Sequence, residues 1–414
     1  MRRTRVFGDF WLIAVVLTLL LIGVGMVFSA SYYTALTSSL YGNDPYYFLV
    51  RAAAWAVFGL VAMVVLSRFN FEKWAWCAPL FMLFAVALLG LLFTPLGEMR
   101  NYAVRSMKLG PVSVMPGEIA KLAAIWFVAW YYTKYEKKTK TFLVGYVPPL
   151  ALMGVCFLLI YKQPNLSTAL ILCGIMLAMM FIAGTRIVYN GAVVVLLGAA
   201  VFFLIVSNPE SEHAHRLIGY LDPWSDAQGE FYQTVQALLA LGAGGVFGTG
   251  LGGSVSKALY LPESQTDYIF AIIGEEFGFV GCIVLLLLYL VLIWRCTLIS
   301  LHATSRHRML VGCGITIMVA LQVILNVGVV TNLVPPTGVT LPFISYGGNA
   351  MLLFMGSMGI MLNISRDTAR ADLAALRASG EDNVIDFAEE RKMRKKKKRA
   401  NRKAADTAAE GAEA

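Results

Sequence analysis

Charge is what this sequence has least of. Asp, Glu, Lys and Arg make up 14% of its 414 residues, against about 25% in an ordinary soluble domain. Hydrophobic residues make up 58%. That balance excludes a water-soluble fold and points to a chain that crosses a membrane several times. Metal chemistry is poorly provided for. The four histidines (His213, His215, His302 and His307) form no HExxH pattern, and the six cysteines (Cys77, Cys156, Cys173, Cys282, Cys296 and Cys313) have no metal-ligand spacing. All six cysteines lie in or beside apolar segments and read as small hydrophobes, so neither a zinc site nor a disulfide framework is expected. The net charge of +9 is not a nucleic-acid footprint, because much of it sits in RKMRKKKKRANRK, Arg391–Lys403. A solvated basic tail suits an anionic membrane surface. The plainer alternative is a disordered anchor without a specific partner.

Long apolar runs are abundant. About 20 apolar residues cross the hydrocarbon of a bilayer. Ten runs are candidates: Phe10–Ala30, Phe48–Ser67, Trp74–Thr94, Glu118–Thr133, Phe142–Tyr161, Leu166–Gly184, Tyr189–Ser207, Tyr268–Trp294, Met309–Asn332 and Leu341–Ile364. The first follows MRRTR and looks like a signal peptide, but its apolar core is too long and nine further runs follow, so it is expected to be retained. The expected fold is an all-α polytopic membrane protein with a short N-terminus (1–9), a ten-helix domain (10–364) and a basic, disordered tail (365–414). Basic residues in short loops fix orientation. Arg2, Arg3, Arg5, Arg68, Lys73, Lys134, Arg186, Arg295, Arg306 and the tail fall on one side, which is then cytoplasmic and holds both termini. Loops 31–47, 95–117 and 208–266 lie outside. The 95–117 loop breaks the rule with Arg100, Arg105 and Lys108. Those charges are either solvated and idle or bind an anionic headgroup.

The 208–266 loop is long and patterned. In FYQTVQALLALG, residues Phe231, Val235, Leu238 and Leu239 share one helical face, while Tyr232, Gln233 and Gln236 project elsewhere. An interfacial amphipathic helix is expected there. The following GAGGVFGTGLGG is too rich in glycine for a stable helix, so a flexible or tightly turned segment is expected. Its GxGxxG echo (Gly248, Gly250, Gly253) follows no strand and carries no nucleotide-binding argument.

Acids inside apolar runs cost roughly 2.5–3.5 kcal/mol each on insertion scales. In KALYLPESQTDYIFAIIGEEFGFVG (257–281), Asp267 stands at the mouth of a long apolar run, and Glu275 and Glu276 lie within it. Asp267 is placed either for chemistry or to cap the helix that TDYI begins. Lys121 lies one turn after Glu118 in the fourth run, as a structural pair or as the lining of a headgroup cavity.

Several motifs occur together. They are LDPWSDAQGEFYQTVQALLALGAGGVFGTGLGGS (221–254), YLPESQTDYIFAIIGEEFGFVG (260–281) and PTGVTLPFISYGG (336–348), with weaker matches in LGPVSVMPGEIAKL (109–122) and KQPNLSTA (162–169). On these the chain resembles the SEDS family (FtsW, RodA and SpoVE) over nearly all of residues 10–365, most closely its FtsW and SpoVE members. The resemblance implies a ten-helix protein of the bacterial cytoplasmic membrane, active in cell division, sporulation or cell shape. It implies a peptidoglycan glycosyltransferase that polymerises lipid II into β-1,4 glycan at the outer face, beside a class B penicillin-binding protein. It makes Asp267 the essential acid and candidate general base. Arg105, Lys121, Arg216 and Lys257 are candidate cations for the departing diphosphate. Gln233, Glu118 and Ser345 are further candidate substrate contacts, and Glu275 and Glu276 are support. Ser345, Tyr346, Gly347 and Gly348 equally suit a small-residue packing site. No cofactor is demanded, although a divalent cation (Mg or Mn) could clamp a diphosphate. The sequence departs from the family pattern at Ser106, Asn165, Ser167, Gln265 and Asn349; if the acid normal at 165 pairs with Lys121, that lysine lacks its charged partner here. A lipid II transporter and a non-catalytic scaffold of the division machinery are the competing readings.

Overall fold

The computed structural model describes residues 9–100, 103–109, 112–207, 220–229, 231–258 and 260–378. The apolar runs fold as helices because only helices satisfy their backbone within one segment. They are α1 (Phe10–Thr37), α2 (Tyr47–Arg68), α3 (Ala78–Leu91), α4 (Pro116–Lys134), α5 (Val147–Tyr161), α6 (Leu166–Ile182), α7 (Ile187–Val206), α8 (Tyr232–Gly244), α9 (Ile269–Leu301), α10 (Arg306–Val330) and α11 (Gly348–Ala378). Polar residues start several of them: Asp9, Asn165 and Ser305 accept from the amides of Leu12, Thr168 and Arg308. Among the described residues, six helices are long and apolar enough to cross a membrane, which makes this a polytopic membrane protein. α10 packs against α4, α6 and α9, α4 packs on α6, and α11 lies along α2.

Four expectations need correction. The chain is not all-α. Gly97–Arg100 (β1), Ala103–Leu109 (β2) and Val112–Val114 (β3) form an antiparallel sheet in which Met107 faces Val114. Met107 packs on Leu88 and Leu92 beside Ile119, so this small sheet is anchored to the helix ends. The last apolar run does not become helix at Leu341. Pro342 cannot donate a helical hydrogen bond, Phe343 takes φ +66°, and α11 starts only at Gly348. Leu341, Phe343 and Ile344 are nevertheless buried, with the Phe343 carbonyl against Gly23 of α1. At its other end α11 runs on to Ala378, so the tail expected from residue 365 is helical for its first turns. Residues 379–414, with the Arg391–Lys403 run, lie outside the described residues.

The fourth correction concerns α8. Its buried face is Thr234, Val235, Ala237, Ala240 and Gly244, while Leu239 is exposed. Small residues line this face because α8 docks closely on α9, with Gly244 against the backbone of Gly274 and Glu275. α9 itself is broken at Gly278 (φ +67°). The glycine segment fills the break. Thr249 and Gly250 donate to the carbonyls of Glu275 and Glu276 (both 2.9 Å), and Phe279 and Val280 donate to Gly245 and Val246 (2.9 and 3.1 Å). At ~1.5 Å per residue the break lies about 15 Å along α9 from Asp267, half the roughly 30 Å hydrocarbon thickness. Irregular backbone at that depth requires protein partners, and this ladder supplies them. A Cβ at Gly278 would stand 2.5 Å from the Val246 carbonyl oxygen, so glycine is needed for the approach. Residues 232–266 therefore form a hairpin that descends beside α9 and returns to Asp267.

Candidate functional site

Asp267 is half-buried at the end of that returning segment. It does not occupy the cap position of α9, which is Tyr268 and makes no side-chain cap hydrogen bond. Three neutral contacts hold the backbone around it. Asn326 of α10 donates from Nδ2 to the Asp267 carbonyl (2.8 Å) and to the Val339 carbonyl (2.7 Å). Ser345 Oγ donates to the Thr266 carbonyl (2.6 Å) and accepts from the Leu341 amide (2.8 Å). The Tyr346 amide donates to the Gln265 carbonyl (2.9 Å). The TDY segment and the PTGVTLPFISYGG segment are thus stitched together through their main chains.

Arg105 arrives from β2. Met107, two residues on and on the same face of the strand, is buried and fixes the sheet. A Cβ built on Gly338 would lie 2.7 Å from Arg105 Nη1 and 3.2 Å from Asp267 Oδ2. Cation and acid therefore converge over one backbone point, where glycine leaves them room. Asn349, one of the departures, ties the sheet to α11 by donating to the Ser113 carbonyl (2.7 Å).

The other acids of α9 are placed differently. Glu275 is buried and accepts from Ser254 Oγ (2.5 Å) and from the amides of Val255 (2.8 Å) and Ser256 (3.3 Å). Glu276 is buried in an ion pair with Lys257 (2.7 Å), and Ser29 of α1 bridges the two, donating to Glu276 (2.6 Å) and accepting from Lys257 Nζ (2.9 Å). The structure thus places the Lys257 charge on Glu276, away from the mouth. Lys121 is 1% exposed and pairs with Glu118 at 2.7 Å. Glu118 gives it a charged partner despite Asn165, whose side chain caps α6 instead. Gln233 is half-buried on α8, and Arg216 lies outside the described residues. Gly348 is packed under the Trp55 ring, so the SYGG segment serves packing at Gly348 while Ser345 and Tyr346 hold the Asp267 loop. Among the described residues no three His, Cys, Asp or Glu side chains gather to hold a metal ion.

Sequence reading passed over Asn326, Gly338 and Ser29. Asn326 could have been found as an amide within an apolar run. The other two reveal themselves only through partners distant in the chain.

The opposite end of the molecule is a clasp of charges. Arg308 pairs with Glu72 (2.7 Å) and with Asp367, Arg306 with Glu136 (2.7 Å), and Arg295 with Asp9. Burial pushes the Glu72 carboxyl up, but hydrogen bonds from Ser305 and Arg308 and the Arg308 charge outweigh it, leaving Glu72 below the ordinary glutamate range.

The model of the FtsW, RodA and SpoVE family, described as cell cycle proteins, matches residues 10–370. The chain belongs to this family. It is 40% identical to stage V sporulation protein E of Bacillus subtilis over 363 residues, 86% of this chain and 97% of that protein. It is 35% identical to the probable peptidoglycan glycosyltransferase FtsW of Legionella pneumophila, over 87% of this chain and 91% of that one. Among solved structures, a component of a peptidoglycan synthase complex shares the fold with a TM-score of 0.70 at 24% identity, over 87% of this chain and 98% of its own. The rod shape determining protein RodA of Thermus thermophilus does so with a TM-score of 0.64, also at 24% identity, over 87% of this chain and 97% of its own.

Proposed function

We infer that this family member is a peptidoglycan glycosyltransferase that polymerises lipid II into β-1,4 glycan at the outer face of the cytoplasmic membrane. The observation that carries the reading is the meeting of Arg105 and Asp267 over Gly338. Relatives over most of the chain that are named probable peptidoglycan glycosyltransferases support it. In this reading α1–α7 and α9–α11 make ten crossings, both termini are cytoplasmic, and α8 with the glycine segment dips in from the outside.

The chemistry follows from the substrate. The donor sugar is α-linked to a diphosphate on a polyprenyl tail, and the product linkage is β. The acceptor 4-hydroxyl therefore attacks the anomeric carbon from the face opposite the diphosphate. As the new C–O bond forms, Asp267 takes the hydroxyl proton, a step worth roughly 10²–10⁴-fold. The bond from the anomeric carbon to the diphosphate oxygen breaks, and the electron pair leaves with the diphosphate. Arg105, close to Asp267, is the cation that this reading assigns to stabilise that charge. A Mg or Mn ion carried in by the diphosphate would act to the same end, and EDTA in the assay tests that addition. Glu118, Lys121, Gln233 and Arg216 remain substrate contacts of this proposal, with Lys257 reassigned to hold Glu276. The partner is a class B penicillin-binding protein that crosslinks the strands.

The test uses purified protein, its transpeptidase partner and lipid II, comparing wild type with Asp267→Ala. Glycan from wild type alone supports the reading, and equal glycan from both removes the general base. If lipid II crosses vesicles and neither protein makes glycan, the chain is a transporter. If Asp267→Ala complements a deletion strain, it is a scaffold.

A further inference from the structure

Tyr289 stands in the apolar run of α9, beyond the break at Gly278, and is 1% exposed. Leu285–Leu288 precede it and Leu290 follows. Phenylalanine would fill the same space, and a buried hydroxyl needs a partner of its own. It has one: the Tyr289 hydroxyl donates to the Pro342 carbonyl at 2.5 Å. The break in α9 accompanies this reach. A Cβ on Gly274 would lie 3.3 Å from Cys282 Sγ, whereas a straight helix would hold two residues eight apart about 12 Å from each other. α9 is therefore bent sharply before Tyr289 meets Pro342.

Pro342 belongs to the turn that supports Asp267. The Leu341 carbonyl accepts from the Ile344 and Ser345 amides (3.2 and 3.0 Å), and the next carbonyl, that of Pro342, takes its donor from Tyr289. Phe343 follows with φ +66°, a conformation that a bulky residue keeps only where its surroundings over-determine it. They do so here. Tyr289 holds the preceding carbonyl, Gly23 of α1 lies against the Phe343 carbonyl, and the Phe354 ring of α11 packs 5.6 Å from the Phe343 ring. Backbone strain of this kind collects where position matters to function. The residues just after it are Ser345 and Tyr346, which hold the carbonyls of Thr266 and Gln265.

We propose that Tyr289 is a positioning residue for Asp267: with Phe343 it fixes the Leu341–Ser345 turn, and the turn sets where the Asp267 carboxylate stands. The effect on catalysis rests on the polymerase reading. The hold on the turn does not. Tyr289 touches no reacting atom, but a displacement of about 1 Å at the base is enough to cost about 10²-fold in rate.

The test compares wild type with Tyr289→Phe as full-length protein with its transpeptidase partner. Amide hydrogen exchange at Leu341, Ser345 and Tyr346 should be at least about fivefold faster in the variant, while the Thr249 and Gly250 amides of the glycine ladder exchange as in wild type. The kcat for glycan synthesis should fall about 10- to 100-fold, with KM for lipid II unchanged. Added to Asp267→Asn, Tyr289→Phe should lower the residual rate no further, because the group it positions is gone. A tyrosine that only packs would lower the melting temperature and leave kcat per folded molecule intact, or would lower the rate equally in both backgrounds. Either result overturns the proposal, as does unchanged exchange at the turn. Faster exchange in a protein whose wild type makes no glycan removes the polymerase reading, and the catalytic role with it, and leaves the hold on the turn established. If Tyr289→Phe fails to fold, Phe343→Gly, which keeps the backbone conformation and loses the ring anchor, must show the same fall in kcat and the same silence beside Asp267→Asn. An unchanged kcat there overturns the proposal.

Discussion

Asp267, Glu275 and Glu276 lie close together in the chain, yet they sit in two different settings. Glu275 and Glu276 are at the break in α9, about half a bilayer deep, and each is met by donors: the Ser254 hydroxyl, the Val255 and Ser256 amides and the Lys257 ammonium from the glycine segment and its return, and the Ser29 hydroxyl from α1. Asp267 is at the mouth, half-exposed, and its backbone is clamped. Asn326 and the neighbouring Ser345 and Tyr346 contacts grip carbonyls rather than the carboxylate, and the side chain is brought to Arg105 over Gly338. Acids bound by side chains and amides at depth hold the hairpin. In the proposed reading, the acid whose main chain is clamped is the one presented for chemistry.

Changes at the deep acids should therefore read as stability, and changes at the mouth as rate. The largest expected stability effect is at the buried pair. Lys257→Met leaves Glu276 charged and unpaired, which costs about 3–5 kcal/mol, measured as the loss of melting temperature in detergent. Lys257→Met with Glu276→Met should recover most of it, since apolar replacement of a buried pair is often near neutral. A single mutant as stable as wild type would erase the distinction between the two settings.

Next is the ladder. Gly248 has φ +80°, and a Cβ there would press on the Glu276 carbonyl. Gly248→Ala should cost about 1–3 kcal/mol from the backbone conformation alone, with more from the clash. Limited proteolysis should then cut first within 245–258.

At the mouth, Asn326→Ala strands the buried carbonyls of Asp267 and Val339, at about 1–3 kcal/mol. Because one of those carbonyls belongs to the proposed base itself, glycan synthesis per folded molecule should fall further than melting temperature suggests. An unchanged rate would show that the clamp is not what presents Asp267.

The smallest effect is at the clasp. Glu72 has a lowered pKa in the folded protein, so the stability it contributes is present above the unfolded value of about 4.3 and is lost as pH falls through the folded value. The melting temperature of wild type should drop more steeply than that of Glu72→Gln below about pH 5. Parallel pH curves would mean that the Arg308 contacts hold without it.

The helices were legible because apolar runs of membrane length have few alternatives, and their ends shifted by a few residues at most sites. The sheet was not. Its strands are short and their alternation, Arg105 then Met107, looks like a loop until Met107 is seen buried. Leu341–Gly347 misled because a buried apolar loop has the hydropathy of a helix, and only Pro342 signalled otherwise. The face of α8 misled because close packing on α9 favours Thr234, Ala237, Ala240 and Gly244 over leucine, a preference that counting hydrophobic residues reverses. Of the site, Asp267 and Arg105 were legible from their motifs. Gly338 and Asn326 were not, since each is defined by what it touches far along the chain. Lys257 was legible as a cation and not as the partner of Glu276, because sequence gives charge without its neighbour.

The contrast between the acids is tested most directly by measuring glycan synthesis and melting temperature together for Asp267→Asn and Glu276→Gln. Asp267→Asn should melt like wild type and make roughly 10²–10⁴-fold less glycan. Glu276→Gln should melt several degrees lower and keep its rate per folded molecule. Wild-type glycan from Asp267→Asn, or a fully stable and inactive Glu276→Gln, would contradict the division of labour along α9.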